Sequence, residues 1–245
     1  MTDEARYTRR KLLVALGGAS LAAGCAVEGL PTIGVPGASG GGLTQADAAA
    51  GIRAALNNGV SHAISTIGVK DGFLLNNLIR IPLPQRLKNI QGSLSRIGLS
   101  GPLDTLETQL NRGAEAAVPQ ARKIFVDAIS SMSISDAVGI VRGGDNAATD
   151  YLKGRTFTPL TGLFTPIMTT ALEQAGAIKT LDNLTASLKS IPLAPQLGAD
   201  AKDDLIRHGV QWGLDGMFVY IAKEEAAIRA NPAKRTSEIL RKVFG

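Results

Sequence analysis

Disulfide and thiolate–metal chemistry have almost nothing to work with in this chain. It has one cysteine, Cys25, and two histidines, His62 and His208, far apart in 245 residues. That excludes an internal disulfide framework and a Cys- or His-based zinc site, so no metal or cofactor is expected. Aromatic residues make up 4% of the chain, against 44% hydrophobic residues in all. A core so poor in rings must be built from Ala, Leu, Ile and Val, which favours closely packed helices over a β-sandwich. Clustered positive charge is scarce as well. The formal charge is +5, and setting aside residues 1–24 leaves 22 Lys and Arg against 19 Asp and Glu. No basic stripe remains, and without one the electrostatic term that holds nucleic acid is absent. Strand patterning and fixed-period repeats are missing too.

The N-terminus carries an address. Thr8-Arg9-Arg10-Lys11 is a basic n-region, and Leu12 to Ala23 is an apolar run too short to span a membrane, as in a signal peptide. It ends in Leu21-Ala22-Ala23-Gly24-Cys25. Small residues before a cysteine there resemble a bacterial lipobox, which makes Cys25 the lipidated first residue of the mature protein. Ordinary cleavage near Gly24 is the alternative. The Arg9-Arg10 pair also resembles a twin-arginine export signal, with general export as the other route. Ala26, where inner-membrane lipoproteins carry Asp, directs the expectation to the outer membrane.

Residues 1–24 are thus read as the signal, 25–42 as a tether and 43–245 as one helical domain. The tether holds Gly29, Pro31, Gly34, Pro36, Gly37 and Gly40-Gly41-Gly42, which cannot pack a core. Its length reaches roughly 20–25 Å from a bilayer as a random coil.

Within the domain, Thr44 with Asp47 three residues on predicts a capped helix through Ile64. Lys70-Asp71-Gly72-Phe73 predicts a turn, and Ile79 to Pro84 an extended segment, because residues before proline avoid the helical region. A helix from Gln85 to Ile97 follows. Asp104 is expected to cap a long central helix with Leu103, Leu106, Leu110, Ala114, Ala117, Ala121, Ile124 and Ala128 on one face. Pro119 should kink it. Ser135 and Asp136 should start a short helix closed by Gly143-Gly144. Asp145 should cap another, stopped at Gly154, with a separate helix opening at Thr158-Pro159. A weak helix over Leu181 to Leu188 and the loop Ile191 to Pro195 lead to a long last helix, Asp200 to Ala230. There Leu205, Val210, Leu214, Met217, Phe218 and Ile221 face inward. The fold class is all-α.

Catalytic patterns are thin. Ser133, Ser135 and Thr149 lack a nucleophile elbow, and Ser135 and Asp136 suit a helix start better than a reacting centre. Glu115, Asp136, Asp145 and Glu225 could converge for acid–base chemistry or an oxygen-ligated cation, but Asp136 and Asp145 sit where helix starts favour carboxylates. Gly143-Gly144 with Arg142 or Arg155 could cradle a phosphate, though the lysine of a P-loop is missing. Arg112, Glu115, Arg229 and Arg235 are better read as ion pairs that fix how helices dock. Trp212 and Tyr220, eight apart, would line a pocket or the core.

Several motifs together resemble one known family. They are Ile79-x-Ile81-Pro82-Leu83-Pro84, Asn111-Arg112-x-Ala114-Glu115-x-Ala117-Val118 and Met132-Ser133-Ile134-Ser135-Asp136-Ala137. Asp145-x-Ala147-Ala148-Thr149-x-Tyr151 with Thr156 follows. Glu224-Glu225-x-x-Ile228-Arg229-x-Asn231-Pro232-x-x-Arg235-Thr236 and the terminal Val243-Phe244-Gly245 complete the set. The chain resembles bacterial secreted proteins grouped as domain of unknown function 4197, from about Leu43 to the end. The resemblance implies a secreted helical protein and brings no activity or catalytic residue. Gly113 stands where the family suggests alanine, which should loosen that helix slightly.

The reading is therefore an all-α domain with a kinked central helix and a long C-terminal helix, in an envelope lipoprotein anchored through Cys25. Its function is expected to be non-catalytic binding or scaffolding, towards an unknown protein partner. The alternative is a carrier of a small apolar ligand or lipid in an inter-helix pocket. The polar set Arg112, Glu115, Asp136, Asp145, Thr149, Tyr151, Glu225, Arg229 and Arg235 is the candidate ligand or structural cluster.

Overall fold

A computed structural model describes residues 44–190 and 197–230. The segments expected to be signal and tether, with Cys25, the Ile191–Pro195 stretch and the closing residues with Arg235 lie outside them. The elements are α1 (Gln45–Ile67), α2 (Gln85–Ser95), α3 (Gly101–Ala117), a 3-10 turn (Val118–Ala121), α4 (Arg122–Ser130) and α5 (Ile134–Arg142), followed by α6 (Ala147–Gln174), α7 (Ala177–Lys189) and α8 (Ala201–Ala230). No strand occurs among the described residues, and no single helix there is long and apolar enough to cross a membrane. The domain is all-α, as composition predicts, with the long last helix that the apolar pattern from Leu205 to Ile221 predicts.

Thr44 caps α1 in a capping box: its Oγ1 accepts the Asp47 N–H at 3.0 Å, and Asp47 accepts the Thr44 N–H at 3.1 Å. Pro119 breaks the central helix into α3 and α4 through the 3-10 turn, because its ring removes a donor and crowds the preceding turn. A bend of 99° then separates Gly101–Ser130 from α5. On α4 the deepest positions are Phe125 and Ile129, with Ile124 and Ala128 only half-buried. Phe125 meets Phe218 of α8 edge-on, ring centroids 5.8 Å apart.

Helix starts differ from expectation in three places. Asp104 is not the cap of α3; the helix begins after Ser100, whose hydroxyl donates to Asp104 at 2.8 Å. Ser133, not Ser135, caps α5, in a box with Asp136. Asp145 caps nothing, since α6 follows Asn146.

The largest correction is α6 itself. Gly154 does not stop it and Pro159 does not start a new helix; both lie inside 28 continuous residues, with a second proline at Pro166. Pro159 and Pro166 are seven apart, on the exposed side, and so are Arg155 and Gly162, whose carbonyls lose their helix donors. Water can satisfy those carbonyls, so each proline costs less than in a dry interior. The opposite face buries Leu160, Phe164, Met168 and Leu172 completely. That stripe packs on α3 and α8, and burial holds together what local propensity would divide.

Small residues let those three helices close. A Cβ on Gly113 would come within 2.5 Å of the Met168 Sδ, and one on Gly209 within 2.8 Å of Leu110. Gly113 is therefore a packing position, and a loosened helix is not its main consequence.

Candidate functional site

The polar residues singled out in the sequence fall into separate groups. Glu225 of α8 is 7% exposed and reaches across to the first turn of α6. Its Oε1 accepts the Ala148 N–H at 3.0 Å, and its Oε2 accepts the Thr149 N–H at 2.8 Å and the Thr149 hydroxyl at 2.7 Å. Arg229, one turn on, donates to the same carboxylate at 2.8 Å through Nη2 and to the Ile140 carbonyl at the end of α5. One buried carboxylate thus satisfies backbone donors that Asp145 was expected to cap, and complements the positive end of α6.

Glu115 of α3 repeats the arrangement on the turn after α1. Its Oε1 accepts the N–H groups of Phe73 and Leu74 at 3.0 and 3.1 Å, and Arg112 donates to Oε2 at 2.7 Å. Arg112 also pairs with Asp71 at 2.7 Å. Hydrogen bonds first to Glu115 and then to Asp71 hold the Arg112 guanidinium above its ordinary value. Asp71 has φ of 69°, a left-handed turn residue, so Arg112 and Glu115 together clamp a strained turn.

One turn earlier, fully buried Asn111 grips the extended segment. Its Oδ1 accepts the Ile81 N–H at 2.8 Å and its Nδ2 donates to the Ile81 carbonyl at 2.9 Å. The side chain thereby supplies the pairing a neighbouring strand would supply.

Asp136 stays at its helix start. The Ser133 hydroxyl, then the Ser133 backbone N–H, hold its carboxyl below the usual carboxylate value, and Tyr151 lies 3.4 Å away. Burial first, and Asp136 second, push the Tyr151 phenol up. Arg155 stacks over the Tyr151 ring at 5.4 Å. Asp145 is exposed and joins none of these groups. Among the described residues no group of three or more His, Asp or Glu is placed to hold a metal ion.

Sequence reasoning offered Trp212 as a pocket or core residue but did not place the cleft it lines. A cleft of about 490 Å³ runs between the start of α2 and the first half of α8. Asp204, His208, Gln211 and Trp212 line it from α8, at spacings that put them on one helical face, and Gln85 and Arg86 face them from α2. The His208 Nε2 lies 2.8 Å from the Pro82 carbonyl. A carbonyl only accepts, so Nε2 carries the proton and Nδ1 is left as an acceptor in the neutral ring. Burial pulls the His208 pKa below 6.5, against the raising effect of that bond. Trp212 is 44% exposed and lies 5.4 Å from the His208 ring. Tyr220 lies elsewhere, accepting a hydrogen bond from Asn76 at 2.6 Å. The signal available in the sequence was Trp212 at i+4 from His208, which reads equally well as core.

The enclosed cavity between α1 and α8, near Ile52 and Ile228, has room of about 10 Å³. Other exposed apolar side chains flank α2: Val69, Leu75 and Leu78 before it, Ile97 and Leu99 after it.

Among known proteins, the family model for protein of unknown function (DUF4197) matches residues 42–245. No curated protein and no solved structure matches the chain.

Proposed function

The chain belongs to the DUF4197 family, and we propose that it is an exported envelope lipoprotein whose helical domain binds a partner without catalysing a reaction. The cleft between α2 and α8 carries this reading. It is large enough for a ligand and presents an exposed tryptophan beside fixed polar groups, the usual composition of a recognition site. The buried carboxylates offer no competing centre: Glu115 and Glu225 spend their oxygens on backbone N–H groups and arginines. The basic, apolar and small-residue pattern ending at Cys25 supports export and anchoring, with the outer membrane as the address. A carrier of apolar ligands has less support, because the enclosed cavity of about 10 Å³ holds about one water.

Native mass spectrometry of the full chain isolated from the cell envelope tests the reading. Bound mass that vanishes on denaturation, and is missing in Trp212→Ala, is the expected result. A clean single-chain mass for both proteins would overturn small-ligand binding in the cleft, and a clean multiple would point to a self-assembling scaffold.

A further inference from the structure

We infer that the α2–α8 cleft binds a short, neutral saccharide. This rests on the binding reading above and names its ligand class. Trp212 is a platform held from behind: the His208 ring packs against it at 5.4 Å and 35°, and Pro82 holds His208 in place. A rigid aromatic with one open face loses little entropy on binding, and its electron-rich face attracts the weakly positive C–H groups of a sugar ring.

The polar lining selects against other chemistries. Gln85 and Gln211 each spend an amide N–H on a neighbour, Asn89 at 2.7 Å and Asp215 at 2.9 Å, which leaves their Oε1 atoms as acceptors. His208 adds an acceptor at Nδ1, and Arg86 adds donors. A ligand that satisfies both kinds of group needs hydroxyls, which donate and accept at once. A lipid tail would strip these groups of water and return no hydrogen bond. An anion finds little excess charge: Asp204 already pairs with Arg207, and Arg86 is the one lining cation without a carboxylate partner among the described residues. The cleft is open, as a chain-like ligand requires.

Trp212 is the only tryptophan in the chain, so intrinsic emission reports on the cleft alone. The experiment titrates the full chain with chitotriose and with maltotriose, up to roughly 10 mM, which is within reach of weak lectin-like affinity. A saturable change in Trp212 emission with one of them is expected. By calorimetry, Trp212→Ala should bind about tenfold more weakly or not at all, and Gln211→Ala should weaken binding while keeping the fluorophore. The melting temperatures of both variants should match the parent, since both side chains are exposed. No response to either sugar, with a response to adenosine or to a proline-rich peptide, would overturn the saccharide class and leave the binding reading standing. No response to any of them, with no co-isolated mass, would overturn both.

Discussion

Glu225 and Thr149 are 76 residues apart in sequence and meet through two hydrogen bonds on a single carboxylate oxygen, 2.8 Å to the backbone N–H and 2.7 Å to the hydroxyl. The start of α6 is therefore capped from another helix. With Arg229 reaching the end of α5, this corner ties three helices together.

Glu225→Ala should be among the most destabilising single changes in the domain. It removes the buried carboxylate that Arg229 donates to and uncaps α6, a loss of about 3–5 kcal/mol and roughly 10 °C in melting temperature. Asp145→Ala should change stability by less than about 0.5 kcal/mol, because α6 takes its cap elsewhere. Urea unfolding followed by circular dichroism compares the two. Equal losses would return the capping role to Asp145.

Glu115→Ala should cost about 1–3 kcal/mol or more, since it leaves the Phe73 and Leu74 N–H groups without their acceptor while Arg112 keeps Asp71. A double-mutant cycle with Arg112→Ala should give a coupling of about 0.5–3 kcal/mol. Strict additivity would show that the pair does not act as a unit.

Gly154→Ala distinguishes a helix stop from a helix interior. In the middle of α6, with nothing within 4 Å of an added Cβ, alanine should stabilise the protein by about 0.5–1 kcal/mol. Gly216→Ala should do the opposite. Its Cβ would meet the Phe73 ring at 2.9 Å and the Ile79 Cβ at 3.1 Å, neither of which can swing away. Overpacking of about 1–3 kcal/mol then outweighs the propensity gain.

His208 makes stability depend on pH in a defined direction. Its folded pKa lies below 6.5, so the unfolded chain binds the proton more readily. Its contribution is present above 6.5 and is lost as pH falls from there towards the folded pKa. The urea midpoint should drop between about pH 7.5 and about pH 5.5, and His208→Gln should flatten that part of the profile. An unchanged slope in the variant would remove His208 from the account.

Cys25→Ser should move the protein from the membrane fraction to the soluble fraction of the envelope, because a single lipidated cysteine is the anchor proposed. Retention in the membrane would sink the lipoprotein reading.

Much of the fold is written in local chemistry. The Thr44–Asp47 box, the extended segment before Pro82 and Pro84, the break at Pro119 and the inward face of α8 each depend on neighbours a few residues away, and the sequence alone determines them. The all-helical class follows the same way, from a core with few rings to pack. Tertiary structure decided the rest. Pro159 and Gly154 are local breakers, yet α6 passes through both because its opposite face is buried and its freed carbonyls reach water. Glu225 caps a helix 76 residues away, and His208 finds Pro82 126 residues back, so neither partnership leaves a mark in local spacing. Asn111 holds Ile81 from 30 residues away, in the extended segment that leads into α2 and so to one wall of the cleft. Capping, turns and periodicity act over one or two turns of chain. Buried charge pairs and clefts arise where distant segments meet, and their energies are set by burial, which sequence spacing does not encode.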